Sequence, residues 1–222
     1  MKRPKTSRAW WLDRHVHDPF VKLAQKEGYR SRAAYKLLGL DERDHLLKRG
    51  MTVVDLGAAP GGWCQIAANK VGEQGKVIGI DLLPVSPVPG VQLFQADFTE
   101  AEGLALVENA LNGRKADLVL SDMAPNISGV KDADQAKHYL LAELALDFAV
   151  RWLKPEGAFV VKVFQGSGFE DYLKQVRAAF NKVVTRKPDA SRDESRENFL
   201  VARGLKESSS NLASQSGAPG LE

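Results

Sequence analysis

The chain has 222 residues, 44% of them hydrophobic and 27% charged, so it can bury one sizeable core as a single domain with short additions. Its one cysteine, Cys64, excludes an intrachain disulfide and a zinc–thiolate cluster; we expect a reducing cytoplasm and no metal. No run approaches the roughly 18 apolar residues of a membrane span, and the basic start, Met1 to Arg8, lacks the apolar stretch of a secretory signal.

The charge is unevenly distributed along the chain. Residues 1–50 carry 13 Lys/Arg against 6 Asp/Glu, whereas residues 51–222 carry 18 against 22. A basic segment on a slightly acidic body indicates that a polyanion docks there, although a solubilising tail is the alternative. Aromatic residues interleaved with the charges favour nucleic acid, because bases stack on rings. They are Trp10, Trp11, Phe20, Tyr29 and Tyr35.

The predicted elements begin with two helices, over residues 18–27 and 31–49, with Ser31 as N-cap of the second and Gly50 as its stop. Strands then alternate with helices. The predicted strands cover residues 51–56, 76–80, 91–96, 117–120, 157–164, 182–187 and 198–201. The helices between them cover 61–71, 100–111, 134–153 and 169–180.

This alternation of apolar strands and amphipathic helices predicts an α/β fold. The sheet should have seven strands, mostly parallel, with helices on both faces and an antiparallel hairpin at one edge. We expect residues 1–50 to form a basic helical extension of the same domain and residues 51–206 to form its main part. Residues 207–222 have the composition of a disordered tail.

A glycine-rich turn follows the first strand, in the run Asp55-Leu-Gly-Ala-Ala-Pro-Gly-Gly-Trp63. Small residues such as Gly57 and Gly61 let the backbone turn sharply and approach a ligand closely. Ligands bind at the carboxyl ends of strands in such sheets. The run is neither a dinucleotide fingerprint nor a P-loop, which disfavours a nicotinamide oxidoreductase.

Acidic residues end the next two strands. Asp81 can accept both hydroxyls of a ribose, and Asp97 with Phe98 can hold an adenine by its amino group and its face. Together with Asp55, these carboxylates suit a cationic ligand such as S-adenosylmethionine, which carries a sulfonium and an ammonium. Each acid alone could be a helix cap or a turn former, but their joint placement beside the glycine turn favours a binding site.

Lys162 lies inside the apolar run from Phe159 to Phe164, where an isolated ammonium is costly to bury. A chain keeps such a lysine where it is paired, or where it serves as a general base. Three residues could meet it: Lys36, Asp122 and Glu197. A neighbouring cation would favour the neutral amine, and the acids would orient it. The chemistry indicated is removal of a proton from a hydroxyl that then attacks a methyl group.

These runs resemble the motifs of the FtsJ/RrmJ-type ribosomal RNA ribose 2′-O-methyltransferases, the RlmE family. The resemblance spans about residues 8–204. It rests on residues 55–63, 121–126, 160–166, 29–33 with Lys36, and 186–192 with 195–197. It implies a Rossmann-like class I methyltransferase fold and a tetrad of Lys36, Asp122, Lys162 and Glu197, with Lys162 as proton acceptor. The S-adenosylmethionine contacts that it implies are Gly61, Trp63, Asp81, Asp97 and Asp122.

The substrate comes from the resemblance alone: a uridine ribose in 23S rRNA, met within the large (50S) ribosomal subunit by a monomeric cytoplasmic enzyme. One alternative is a related 2′-O-methyltransferase acting on tRNA or a cap. Another is a ribosome-assembly factor that acts mainly by binding RNA, although binding alone has no need of Lys162. We further predict that the basic segment binds RNA phosphates through Arg3, Lys5, Arg8, Arg30 and Arg32.

Overall fold

The computed structural model describes residues 18–126, 128–192 and 194–206. Within these ranges the helices are α1 (Pro19–Glu27), α2 (Ala34–Asp44), α3 (Gly62–Val71), α4 (Ala101–Leu111), α5 (Lys131–Trp152) and α6 (Phe169–Ala179). The strands are β1 (Thr52–Leu56), β2 (Lys76–Asp81), β3 (Val91–Gln95), β4 (Ala116–Ser121), β5 (Leu153–Phe164), β6 (Phe180–Arg186) and β7 (Glu197–Leu205). Among the described helices, none is long and apolar enough to cross a bilayer.

The seven strands form one sheet in the order β3-β2-β1-β4-β5-β7-β6. Strands β1 to β5 pair in parallel, and β7 pairs antiparallel with both β5 and β6. The predicted sheet and its antiparallel edge pair are therefore confirmed. The chain order reverses between β1 and β4, and ligands bind at such switch points beyond the strand ends.

Each strand alternates its side chains between two apolar cores. In β1, Val54 and Leu56 pack with helices α4, α5 and α6, whereas Val53 packs with α2 and α3 on the opposite face. The period of two in strand side chains produces this sorting. Helices α2 and α3 therefore cover one face of the sheet, with Leu37 and Leu40 of α2 almost fully buried there.

The second predicted helix is shorter than expected. Helix α2 begins after Ala33, which makes no side-chain cap, and ends where His45 adopts a left-handed conformation with φ of 50°. The Asp41 carboxylate accepts a hydrogen bond from the backbone amide of Leu47 at 2.8 Å, which fixes the turn. The turn brings Leu46 and Leu47 into the core, and burial of these apolar side chains favours the turn over a longer helix.

Strands β5 and β7 are longer than predicted. Strand β5 starts directly after α5, at Leu153, and includes residues 154–156, which lay between the predicted helix and the predicted strand. Strand β7 begins at Glu197 and runs to Leu205 between two neighbours. The buried β7 position places Glu197 beside Phe164 at the end of β5.

Candidate active site

A cavity of about 270 Å³ lies at the switch point, beyond the carboxyl ends of β1 to β4. Five of the residues predicted to bind a cofactor line it together: Gly57, Asp81, Asp97, Phe98 and Asp122. Parallel strands bring their ends to one sheet edge, which is why residues from four strands converge here. In the described residues, no group of three His, Cys, Asp or Glu side chains is placed to hold a metal ion.

Gly57 has a conformation that requires glycine. Its φ is +85°, and a Cβ at this position would lie 2.9 Å from the backbone nitrogen of Met123. Its amide donates to Ile80 O at 3.0 Å, so the turn closes tightly on β2. A side chain here would push apart the ends of β1 and β4 that form the cavity wall.

The two acids at the ends of β2 and β3 are held by their own turns. Asp81 accepts hydrogen bonds from the backbone amides of Ala59 and Leu83, each at 2.8 Å. Asp97 Oδ1 accepts from the Thr99 amide at 2.8 Å and from its hydroxyl at 2.7 Å. Both residues therefore form turns and also line the cavity, and the hydrogen bonds of the turns fix the positions of their carboxylates.

Asp55 lies beneath the cavity rather than on its wall. Its side chain is fully buried, and Oδ2 accepts a hydrogen bond from the thiol of Cys64 at 3.1 Å. Burial, with smaller repulsion from Asp122 and Asp81, raises the pKa of Asp55 to about 7. Burial likewise raises the pKa of the Cys64 thiol, which makes it an inert core residue.

Trp63 and Gly61 also lie off the cavity wall. The Trp63 indole donates to Ala33 O at 2.7 Å, and its ring packs 5.6 Å from that of Phe199. Gly61 has a φ of +106°, and a Cβ there would meet Arg30 Nη1 at 2.7 Å. In this geometry both residues join the N-terminal helices to the glycine turn.

The predicted general base is buried and paired. Lys162 is 6% exposed. Its Nζ lies 2.8 Å from Asp122 Oδ1 and donates a hydrogen bond to the main-chain oxygen of Asp122 at 2.6 Å. Because Asp122 also lines the cavity, this pair stands at the cavity border.

The other two tetrad residues form a second ion pair. Lys36 Nζ lies 2.7 Å from Glu197 Oε1 and 2.8 Å from Oε2. The hydroxyl of Ser191 donates to Glu197 Oε1 at 2.9 Å, and Lys36 also lies 5.7 Å from the centroid of the Phe199 ring. Lys162 on β5 lies opposite Phe199 on β7. One residue of each ion pair, Lys162 and Glu197, therefore lies on adjacent strands.

A bidentate ion pair anchors the helix that carries Lys36. Asp44, the last residue of α2, accepts two hydrogen bonds from the Arg186 guanidinium, each at 2.8 Å. The hydrogen bond to Arg186 is the main cause that lowers the pKa of Asp44. Arg203 of β7 donates to the Asp44 carbonyl. These contacts fix α2 against β6, through Arg186, and against β7, the strand that presents Glu197, through Arg203.

His138 is a neighbour of the site that was not among the residues singled out from the sequence. It is 2% exposed, and its Nε2 donates to the main-chain oxygen of Lys162 at 3.1 Å. Burial, with a smaller contribution from the Lys162 charge, lowers the pKa of His138 to about 4. The imidazole is therefore neutral near pH 7 and holds the main chain at Lys162.

Two of the arginines predicted to bind RNA make hydrogen bonds and an ion pair within the protein. The Arg30 guanidinium donates to the carbonyls of Pro60, Ser86 and Pro87. Arg32 pairs with Asp18 at 3.1 Å and donates to Ala190 O. Phosphate binding by these groups remains a prediction. The other three, Arg3, Lys5 and Arg8, lie outside the described residues, as do the rest of residues 1–17 and the predicted tail 207–222.

The fold and site define a Rossmann-like methyltransferase. The chain belongs to the FtsJ-like methyltransferase family, whose profile matches residues 29–205. A "Ribosomal RNA large subunit methyltransferase E" from Thiobacillus denitrificans is 64% identical over 202 residues, covering 91% of each chain. A relative of the same name from Methylobacillus flagellatus is 57% identical and covers 93% of this chain and 98% of its own.

Solved structures agree with the fold. A ribosomal RNA methyltransferase of Plasmodium falciparum superposes with a TM-score of 0.69 at 30% identity, over 80% of this chain and 98% of that one. An rRNA-methylase of Clostridium thermocellum gives a TM-score of 0.53 at 18% identity, over 77% of this chain and 97% of its own, which supports the fold alone. The methyltransferase fold predicted from the sequence is thus confirmed.

Proposed function

We propose that this protein transfers a methyl group from S-adenosylmethionine to the ribose 2′-hydroxyl of a uridine in 23S rRNA of the large ribosomal subunit. The observation that carries the proposal is the buried Lys162 ammonium, 2.8 Å from Asp122 Oδ1 at the border of an acid-lined cavity. The names of the relatives support large-subunit rRNA as substrate. The 2′-hydroxyl and the uridine follow from the motif resemblance, and a cytoplasmic monomer suits that substrate.

The cavity residues fit S-adenosylmethionine. Gly57 leaves backbone room, and three carboxylates on the wall, Asp81, Asp97 and Asp122, favour a cation. Asp81 would bind the ribose hydroxyls, and Asp97 with Phe98 would hold the adenine. When bound, S-adenosylmethionine supplies a methyl group on a sulfonium, which is an electrophile. Asp55, Gly61 and Trp63 would support these contacts from behind the cavity wall.

The tetrad would then supply the base and its orientation. Lys162 in its neutral form accepts the proton of the 2′-hydroxyl, which makes that oxygen a nucleophile. Asp122 holds the Lys162 amine by two contacts at one strand end. Lys36 and Glu197, paired with each other, would position the ribose from the neighbouring strand and helix.

Mapping of ribose methylation tests the proposal. Ribosomal RNA from cells with and without the gene should differ at one uridine of the large subunit. The unaltered gene should restore that mark, and Lys162→Ala should not. Lys174→Ala serves as the control, because the Lys174 side chain on α6 is 74% exposed, does not line the cavity and does not belong to the tetrad. Identical methylation maps with and without the gene would contradict the proposal.

The same cells separate an enzyme from an assembly factor. If binding alone were the role, Lys162→Ala would restore normal subunit assembly although the methyl mark is missing. We expect assembly and methylation to fail together, which sucrose-gradient profiles of the ribosomal particles would show.

A further inference from the structure

A second cavity, of about 390 Å³, lies next to the acid-lined one and has no role in the site described so far. Ala124 lines both cavities, so they are neighbours. Its volume falls within the range of sites that take a small organic ligand. We call it the acceptor cavity, and the residues of its wall used below are Lys131, Gln135, His138, Phe164 and Arg196.

The wall of the acceptor cavity is built from residues next to the tetrad. Phe164 follows Lys162 by two positions on β5 and so shares its face of the strand. Arg196 directly precedes Glu197. His138 holds the Lys162 carbonyl at 3.1 Å. A ligand in this cavity would therefore lie beside the proposed base.

The chemistry of the wall suits a nucleotide. Phe164 is a half-buried ring, a surface on which a base can stack. Lys131 and Arg196 are exposed, and neither has an ion-pair partner in the part of the chain that the structure describes. Gln135 donates its amide to Ser167 O at 2.6 Å and keeps its carbonyl as a further acceptor.

One carboxylate also borders the acceptor cavity. Asp134 accepts hydrogen bonds from the Ser128 amide and hydroxyl and from the Gly129 amide, at 2.8, 2.6 and 3.0 Å. These bonds are the main cause that lowers the pKa of Asp134. Its oxygens are thus engaged in holding the loop, and Lys131 and Arg196 outnumber this one carboxylate among the charged residues of the wall.

We propose that the acceptor cavity receives the nucleotide to be methylated, with its base against Phe164 and its phosphates toward Lys131 and Arg196. The inference rests on the proposed function and deepens it. Sequence-specific contacts with RNA are made to unstacked bases, so the acceptor nucleotide would enter with its base turned out of the RNA stack. The ribose then lies between this cavity and the tetrad.

Substitution of Phe164 tests the placement of the base. The assay is methyl transfer to large subunits from cells that lack the gene, with S-adenosylmethionine affinity measured separately. Phe164→Leu keeps an apolar side chain but no ring, and should lower kcat/KM for the subunits about tenfold, as expected for one lost base–aromatic contact. Phe164→Tyr, which keeps the ring, should lose less. Equal losses for the two variants, or a parallel loss of cofactor affinity, would overturn the placement.

Charge reversal tests the placement of the phosphates. Lys131→Glu and Arg196→Glu should each raise KM for the subunits and flatten its salt dependence, while cofactor affinity stays unchanged. Lys182→Glu, an exposed position on β6 outside both cavities, is the matched control. If both test variants behave like the control while the unaltered protein is active, the inference is wrong. An unaltered protein that methylates no subunit would instead overturn the proposed function and the inference with it.

Discussion

The two cavities beside Lys162 differ in the sign of their charge. The charged side chains on the wall at the switch point are the carboxylates of Asp81, Asp97 and Asp122, whereas Lys131 and Arg196 outnumber the one carboxylate, Asp134, in the wall of the acceptor cavity. A cationic methyl donor and a polyanionic RNA would each be attracted to a different side. The contrast indicates that the charge of each cavity favours a different one of the two proposed reactants.

The largest expected effect lies at the border between the cavities. Lys162→Ala should lower single-turnover methyl transfer by at least about 100-fold, the lower end for general-base catalysis. Lys162→Arg should not rescue it, because a guanidinium keeps its proton. Lys154→Ala, an ion-paired lysine at the other end of β5, is the control. A rate for Lys162→Arg close to that of the unaltered protein would leave Lys162 as a positioning charge only.

The acidic side should lose cofactor affinity when a carboxylate is removed. Asp81→Ala is expected to weaken S-adenosylmethionine binding by about 1.5–3 kcal/mol, because hydrogen bonds to a charged group are lost. Asp81→Asn should weaken it less, since an acceptor remains for the amides of Ala59 and Leu83. Calorimetry measures both, with exposed Asp147→Asn as control. Unchanged affinity for Asp81→Ala would remove the cofactor from this cavity.

The second ion pair should matter less than the first. Lys36→Ala and Glu197→Ala remove orienting groups but leave the base in place, so each loss of rate should be on the order of tenfold. The double variant should lose little more than either single one, because each partner acts through the other. Single-turnover rates of the three variants test this. Additive losses would show that Lys36 and Glu197 act independently.

The smallest effect concerns stability and pH. The folded-state pKa of Asp55, about 7, lies above the value of about 3.9 in an unfolded chain, so its contribution to stability is present at low pH and is lost as pH rises toward 7. Asp55→Asn removes this titration and keeps an acceptor for Cys64. Its free energy of unfolding relative to the unaltered protein should increase between pH 4 and pH 7. Urea unfolding at several pH values measures it; a constant difference would contradict the buried titration.

Much of the fold followed from the sequence because strand periodicity is local. Continuous apolar runs set the strands of the parallel sheet, and strand ends in such a sheet converge. Asp55, Asp81 and Asp97 were therefore expected beside one another, and the structure brings Asp81 and Asp97 to the cavity wall while Asp55 lies beneath it. The ends of helices were less predictable, since the turn at His45 depends on burial of Leu46 and Leu47 by distant residues.

Side-chain direction limited the site prediction. Asp55 and Trp63 belong to the glycine-rich motif, yet both are buried beneath the cavity. Asp55 accepts a hydrogen bond from the Cys64 thiol, and the Trp63 indole donates to Ala33 O. Arg30 and Arg32 also donate to carbonyls 30 to 158 positions away, contacts that no local pattern reveals, and phosphate binding by them stays a prediction. The acceptor cavity has residues from three separate segments, although Phe164 could have been found by its even spacing from Lys162.

The pairing of Lys36 with Glu197 has a consequence during synthesis of the protein. The two residues are 161 positions apart, and the clamp between Asp44 and Arg186 spans 142 positions. While the chain is being made, the lysine leaves the ribosome long before its carboxylate partner exists. The four residues of the predicted tetrad cannot come together until the start of β7 has been translated, so a chain truncated before Glu197 lacks the second ion pair.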